Sequence, residues 1–179
     1  EWHELAVRER GLENLRTSAD ALPVLQRPEI RELFERTGVL SPVELESRFE
    51  VYTEQYILAI EVEAKLAVRI ARTQLTPAVM AHLERVVRCL RDQESLGMPA
   101  DRVGVTQLSA LQQQLTRLCD ELDQQIANPH HSHHDHLHHC AGRLLPLMGQ
   151  IRSTADALEM IVDDACWPLP TYQEMLFMR

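Results

Sequence analysis

The 179-residue chain carries 27 acidic against 18 basic residues, a formal net charge of −9 that argues against a phosphate backbone as partner. Apolar residues make up 45% but aromatics only 4%, and the abundance of Leu, Ala, Glu, Gln and Arg is a helix-forming composition. No apolar run approaches the roughly 18–20 residues that span a bilayer, no signal peptide is visible, and four cysteines without a CxxC pair read as a reduced, cytosolic chain.

The chain opens "EWHELAVRERG" without a methionine, which reads as a piece cut from a longer polypeptide. Residues 1–10 look like the last turns of a helix stopped by Gly11. "NLRTSADALPVLQRP" is a connector with a short helical turn, broken by Pro23 and Pro28. "PEIRELFERTG" is a brief helix with Pro28 in its first turn and Gly38 closing it. "SPVE" at 41–44 is a strong start signal, with Ser41 as cap, Pro42 at the first helical position and Glu44 completing a capping box.

The long helix that follows carries Leu45, Phe49, Tyr52, Tyr56, Ala59 or Ile60, Leu66 and Ile70 at helical spacing and runs to about Gln74. Pro77 predicts a kink or short break before Val79–Leu90 continues, and Gly97 and Pro99 end the stretch. A second helix spans 106–127 with a narrow seam of Leu108, Leu111, Leu115, Leu118, Leu122 and Ile126. Asn128-Pro129 stops it. A third carries Leu137, Ala141, Leu144, Met148, Ile151, Ala155, Leu158 and Val162, bent locally at Pro146. No window alternates with period two, so the expected fold is all-α: an antiparallel bundle of three long helices with short N-terminal helices and an apolar C-terminal tail. Residues 15–22 (LRTSADAL) and 151–158 (IRSTADAL) are alike over eight positions only, which reads as coincidence.

"NPHHSHHDHLHHC" (128–140) places seven histidines in ten positions. Imidazole is a good ligand for Zn, Ni or Cu, and His134 and His138 share a face if the third helix starts early, with Asp135 and Cys140 as further donors. Neighbours strung along a loop are interchangeable, however, so the run reads as a solvated interhelix loop that binds metal opportunistically, with His134 and His138 as its metal candidates. A histidine-rich metal-binding or metal-sensing bundle is the alternative reading. The acids and bases of residues 50–72, including the Glu61–Lys65 pair, read as a solvated or interface face. Cys119 and Cys166 read as small buried hydrophobes, and no phosphate-binding glycine loop occurs. The last thirteen residues concentrate large apolar groups. Trp167, Tyr172, Leu176 and Phe177 are therefore docking candidates, against the bundle or against a neighbouring domain or subunit.

Three blocks in order, "EWHELAVRERGLENLRTSADALP", "GVLSPVELESRFEVYTEQYILAIEVEAKLAV" and "DDACWPLPTYQEMLFMR", resemble the C-terminal region of type III glutamine synthetases. The resemblance implies a parent enzyme that is a cytosolic, ATP-dependent glutamate–ammonia ligase, requires magnesium or manganese, and assembles as stacked rings of subunits. It also implies that the active site lies in an upstream β-grasp and catalytic domain of the same polypeptide, so no catalytic or cofactor-binding residue carries over to this chain. Residues 1–40 then read as the exit from that domain and a connector, 41–166 as the helical bundle, and 167–179 as the docking tail. The expected function is a structural and oligomerisation module with no nucleic-acid or membrane partner.

Overall fold

The computed structural model describes residues 2–130, 132–170 and 172–176. Among them the secondary structure is entirely helical, with no strand. In chain order the elements are α1 (Trp2–Arg10), α2 (Ser18–Ala21), a 3₁₀ turn (Leu22–Gln26), α3 (Pro28–Arg36), α4 (Pro42–Ile70), a π turn (Ala71–Leu75), α5 (Thr76–Ser95), α6 (Val103–Ile126), α7 (His133–His139), a second π turn (Cys140–Leu144), α8 (Leu145–Glu159), a 3₁₀ turn (Asp164–Cys166) and α9 (Tyr172–Leu176).

The helix ends follow local chemistry. Gly38 and Gly97 take the left-handed conformation (φ 67° and 70°), which L side chains rarely adopt. Each lets the next amide turn back: Val39 N–H donates to the Phe34 carbonyl at 3.1 Å, and Met98 N–H to that of Gln93 at 3.0 Å. At the start of α4 the capping box forms, the Ser41 N–H donating to Glu44 Oε2 at 2.8 Å and the Glu44 N–H to Ser41 Oγ at 3.3 Å.

At Pro77, where the sequence predicts a kink or short break, the helix does not break but widens over one turn. A proline ring collides with the carbonyl four residues back and offers it no N–H. The turn ahead of it, Ala71–Leu75, opens to π geometry, with the Thr76 N–H bonded to the Ala71 carbonyl, so the helical path continues from 42 to 95. Pro146 is met in the same way, by the π turn Cys140–Leu144 beginning six residues before it. The third helical stretch ends at Glu159, short of Val162, which is nevertheless buried in the turn that follows.

Contacts divide the chain into two compact units. The first comprises Glu1–Glu61 and Pro129–Arg143. There α2 lies against α7, and the core holds Ala6, Ala19, Leu45, Thr53, Ile57, Ile60, Leu137 and Cys140. The second comprises Val62–Asn128 and Leu144–Arg179. There α6 packs against α8 and α5 through the expected leucine seam: Leu108, Leu115, Leu118 and Leu122 are buried, Leu111 and Ile126 half-buried. Each fully buried leucine contributes about 1.5–3 kcal/mol relative to exposure. Leu144, Leu147, Ile151, Ala155 and Leu158 answer from the other side of the seam.

The buried face of α4 differs from the stripe of large residues expected from sequence. It runs through Leu45, Thr53, Ile57, Ile60, Ala64 and Val68, and continues into Ala71 and Leu75. Tyr52 is 42% exposed and Leu66 is also exposed, while Tyr56 is half-buried. Small residues such as Ala64 and Ala71 take up part of that buried line, and Tyr52 and Leu66 lie off it.

Candidate functional site

The histidine run is helical from His133, not a loop. Ser132 fixes it: its Oγ accepts from the Asp135 N–H at 3.1 Å and donates to the Asp135 carboxylate at 2.8 Å, capping α7. A helix sorts the imidazoles by face. His134 and His138, one turn apart, are exposed on the outside with ring centroids 4.5 Å apart and planes tilted by 59°. They form a solvent-facing pair, and the Asp135 carboxylate is turned back to its cap.

The inner face is a different environment. His130 stacks on His136 with centroids 4.2 Å apart and an interplanar angle of 19°, and meets His139 at 4.5 Å. His136 Nε2 lies 3.0 Å from Glu61 Oε1, both side chains being largely screened from water. Ring nitrogens carry their lone pairs in the ring plane, so stacked imidazoles present parallel donors rather than a convergent shell. Burial, and then the neighbouring His136 and His139, hold the His130 pKa below the ordinary histidine value. One turn on, Cys140 is fully buried, and burial followed by the Glu61 carboxylate pushes its thiol up to about 11. Burial foremost, then Cys140 and Asp20, also raises Tyr56. From sequence Glu61 belongs to a solvated or interface face; the structure turns it toward His136, 75 positions away, a relation that no local spacing signals.

In the second unit Arg72, borne on the π turn, reaches across to α6, where it pairs with Asp120 at 2.7 Å and with Asp123. These carboxylates raise its pKa through hydrogen bonds, and the exposed pairs add about 0–1 kcal/mol. Cys119 is buried as expected, and burial raises its thiol.

The docking candidates separate. Trp167 is half-buried and lines a groove of about 250 Å³ with Arg152, Ala155 and Glu159 of α8 and with Leu169 and Met175 of its own segment. Its indole Nε1 is buried without a partner. Leu176 is 77% exposed. The side chain of Tyr172 and the whole of Phe177 lie outside the described residues.

A family model described as the glutamine synthetase C-terminal domain matches residues 1–94, just over half of the chain. The chain belongs to that family. Type-3 glutamine synthetase of Dictyostelium discoideum is 31% identical over 191 aligned residues, covering 100% of this chain and 26% of the relative. Glutamine synthetases of Bacteroides fragilis (strain YCH46) and Butyrivibrio fibrisolvens are 26% and 27% identical, covering 100% and 99% of this chain and again 26% of each relative. The chain thus spans about a quarter of the length of the curated relatives it matches. The family-matched stretch includes the capping box, Glu61 and Arg72 of this glutamine synthetase C-terminal domain. The histidine turn and tail lie beyond it but within the pairwise alignments.

Proposed function

We propose that this chain is the helical C-terminal module of a type III glutamine synthetase and acts as a structural and oligomerisation element for a catalytic domain elsewhere in the same polypeptide. The observation that carries the reading is coverage: 99–100% of the chain aligns with three glutamine synthetases of which it is only 26%. Under this reading the parent makes glutamine from glutamate, ammonia and ATP with magnesium or manganese, works in the cytoplasm and assembles as stacked rings. Its long helices brace those rings as an antiparallel bundle.

The surface of α4 supports a role in subunit contact. Val51, Leu58, Val62 and Leu66 are all exposed, and their spacing of seven, four and four residues puts them on one side of the helix. A row of large apolar side chains left in water on a 29-residue helix is the kind of surface that a second subunit covers.

The test is sedimentation velocity on the full-length synthetase carrying Leu58→Glu with Val62→Glu. Dissociation to smaller species with undiminished helical circular dichroism is expected, and loss of rings on removing residues 41–179 accompanies it. Intact rings with unchanged activity would contradict the reading.

A further inference from the structure

Three side chains that no motif connects come together in the second unit: His82 on α5, and Asp163 and Cys166 on the turn after α8, with their ligand atoms all within 4.8 Å of one another. We propose that they form a transition-metal site of the zinc class.

The local fold builds the arrangement. Asp163 caps the 3₁₀ turn Asp164–Cys166, its carboxylate accepting from the Ala165 N–H at 3.0 Å, while the Cys166 N–H donates to the Asp163 carbonyl at 2.8 Å. The cap and the closed turn thus hold the Asp163 carboxylate and the Cys166 thiol close to one another. The turn packs against α5, which delivers His82, and the Asp163 N–H donates to His82 Nδ1 at 3.3 Å. His82 and Cys166 are half-buried and Asp163 is open to solvent, so the cluster has both an enclosed floor and an entry path.

The donor set identifies the ion class. One imidazole nitrogen, one sulfur and one carboxylate oxygen suit Zn²⁺ or Co²⁺, whereas magnesium and calcium prefer all-oxygen shells. Three protein ligands leave a fourth tetrahedral position for water. Binding deprotonates the thiol and releases that proton to solvent. It also ends the long bond to His82. An ion at Nδ1 takes the lone pair that now accepts it, and an ion at Nε2 requires the ring proton to move to Nδ1. The opposing feature is Arg85, whose guanidinium lies 3.5 Å from Asp163 Oδ2 and competes with a cation for that oxygen. Arg85 is exposed and free to swing into water, where its charge is screened. An occupied site clips the segment that leads into Trp167 onto α5.

The site is independent of the oligomerisation role, and its test has separate readouts. Full-length protein titrated with Co²⁺ is expected to show a thiolate-to-cobalt charge-transfer band. Cys166→Ser abolishes that band, and His82→Ala or Asp163→Asn weakens binding at least tenfold. His134→Ser with His138→Ser leaves the band intact. In parallel, Zn²⁺ protects Cys166 but not the exposed Cys89 from iodoacetamide, as read by peptide mass. A band of full intensity in Cys166→Ser, or Cys166 alkylated equally with and without Zn²⁺, would overturn the proposal. Unchanged helical circular dichroism in each variant excludes misfolding as the cause of a lost band.

Discussion

Thr53 and Cys140 show how the first unit treats polar atoms at its centre. Thr53 is fully buried on α4 and its Oγ1 has no hydrogen-bond partner, so the hydroxyl bears a desolvation cost that nothing offsets. Thr53→Val keeps the shape and removes the oxygen. It should raise stability by about 1–2 kcal/mol in urea unfolding, and destabilisation would show that the hydroxyl is satisfied after all. Cys140 makes a pH prediction. Its folded thiol sits at about 11 against an ordinary 9.0, so between those values the unfolded chain has given up a proton that the folded chain still holds. Stability is therefore lost as pH rises through that window, by at most about 2–3 kcal/mol, and is unaffected below it. Unfolding midpoints at pH 8 and pH 11 should diverge more in the wild type than in Cys140→Ala, and equal divergence would contradict the assignment. Neither residue was legible beforehand. Thr53 lies between the tyrosines that the apolar pattern favoured, and the strongest influences on Cys140 come from burial and from Glu61, 79 positions away.

At the scale of elements, most of the fold was legible because start and stop signals are local. Ser41 and Glu44, Gly38 and Gly97, and the α6 seam act as their spacing predicts. Ser41→Ala should cost about 0.5–2 kcal/mol by removing the α4 cap, measured as a shift in chemical denaturation, and no shift would mean that the box does not hold the helix end. Leu115→Ala, in the middle of the seam, should cost about 2–5 kcal/mol. Where reading by local signal failed, tertiary accommodation decided. Pro77 and Pro146 indicate that a helix must yield, but whether it breaks or widens depends on whether both sides of the interruption remain packed, as Leu75 and Val79 do around Pro77. In the histidine run, seven polar rings hide a short helix whose local evidence is Ser132 and Asp135, three residues apart.

For the whole molecule, family membership and helical class were readable from blocks of sequence, while the partition into two units was not, since each is assembled from segments distant in the chain. The same holds for His82, Asp163 and Cys166, which only the packing of a turn on α5 brings together. The central claim is that the exposed apolar side of α4 is covered when the parent enzyme assembles. Maleimide labelling of full-length protein carrying Leu58→Cys, read at position 58 by peptide mass, tests it most directly. The account predicts slow labelling at position 58 in the assembled enzyme and fast labelling once subunits are dissociated. Equal rates in the two states would contradict it.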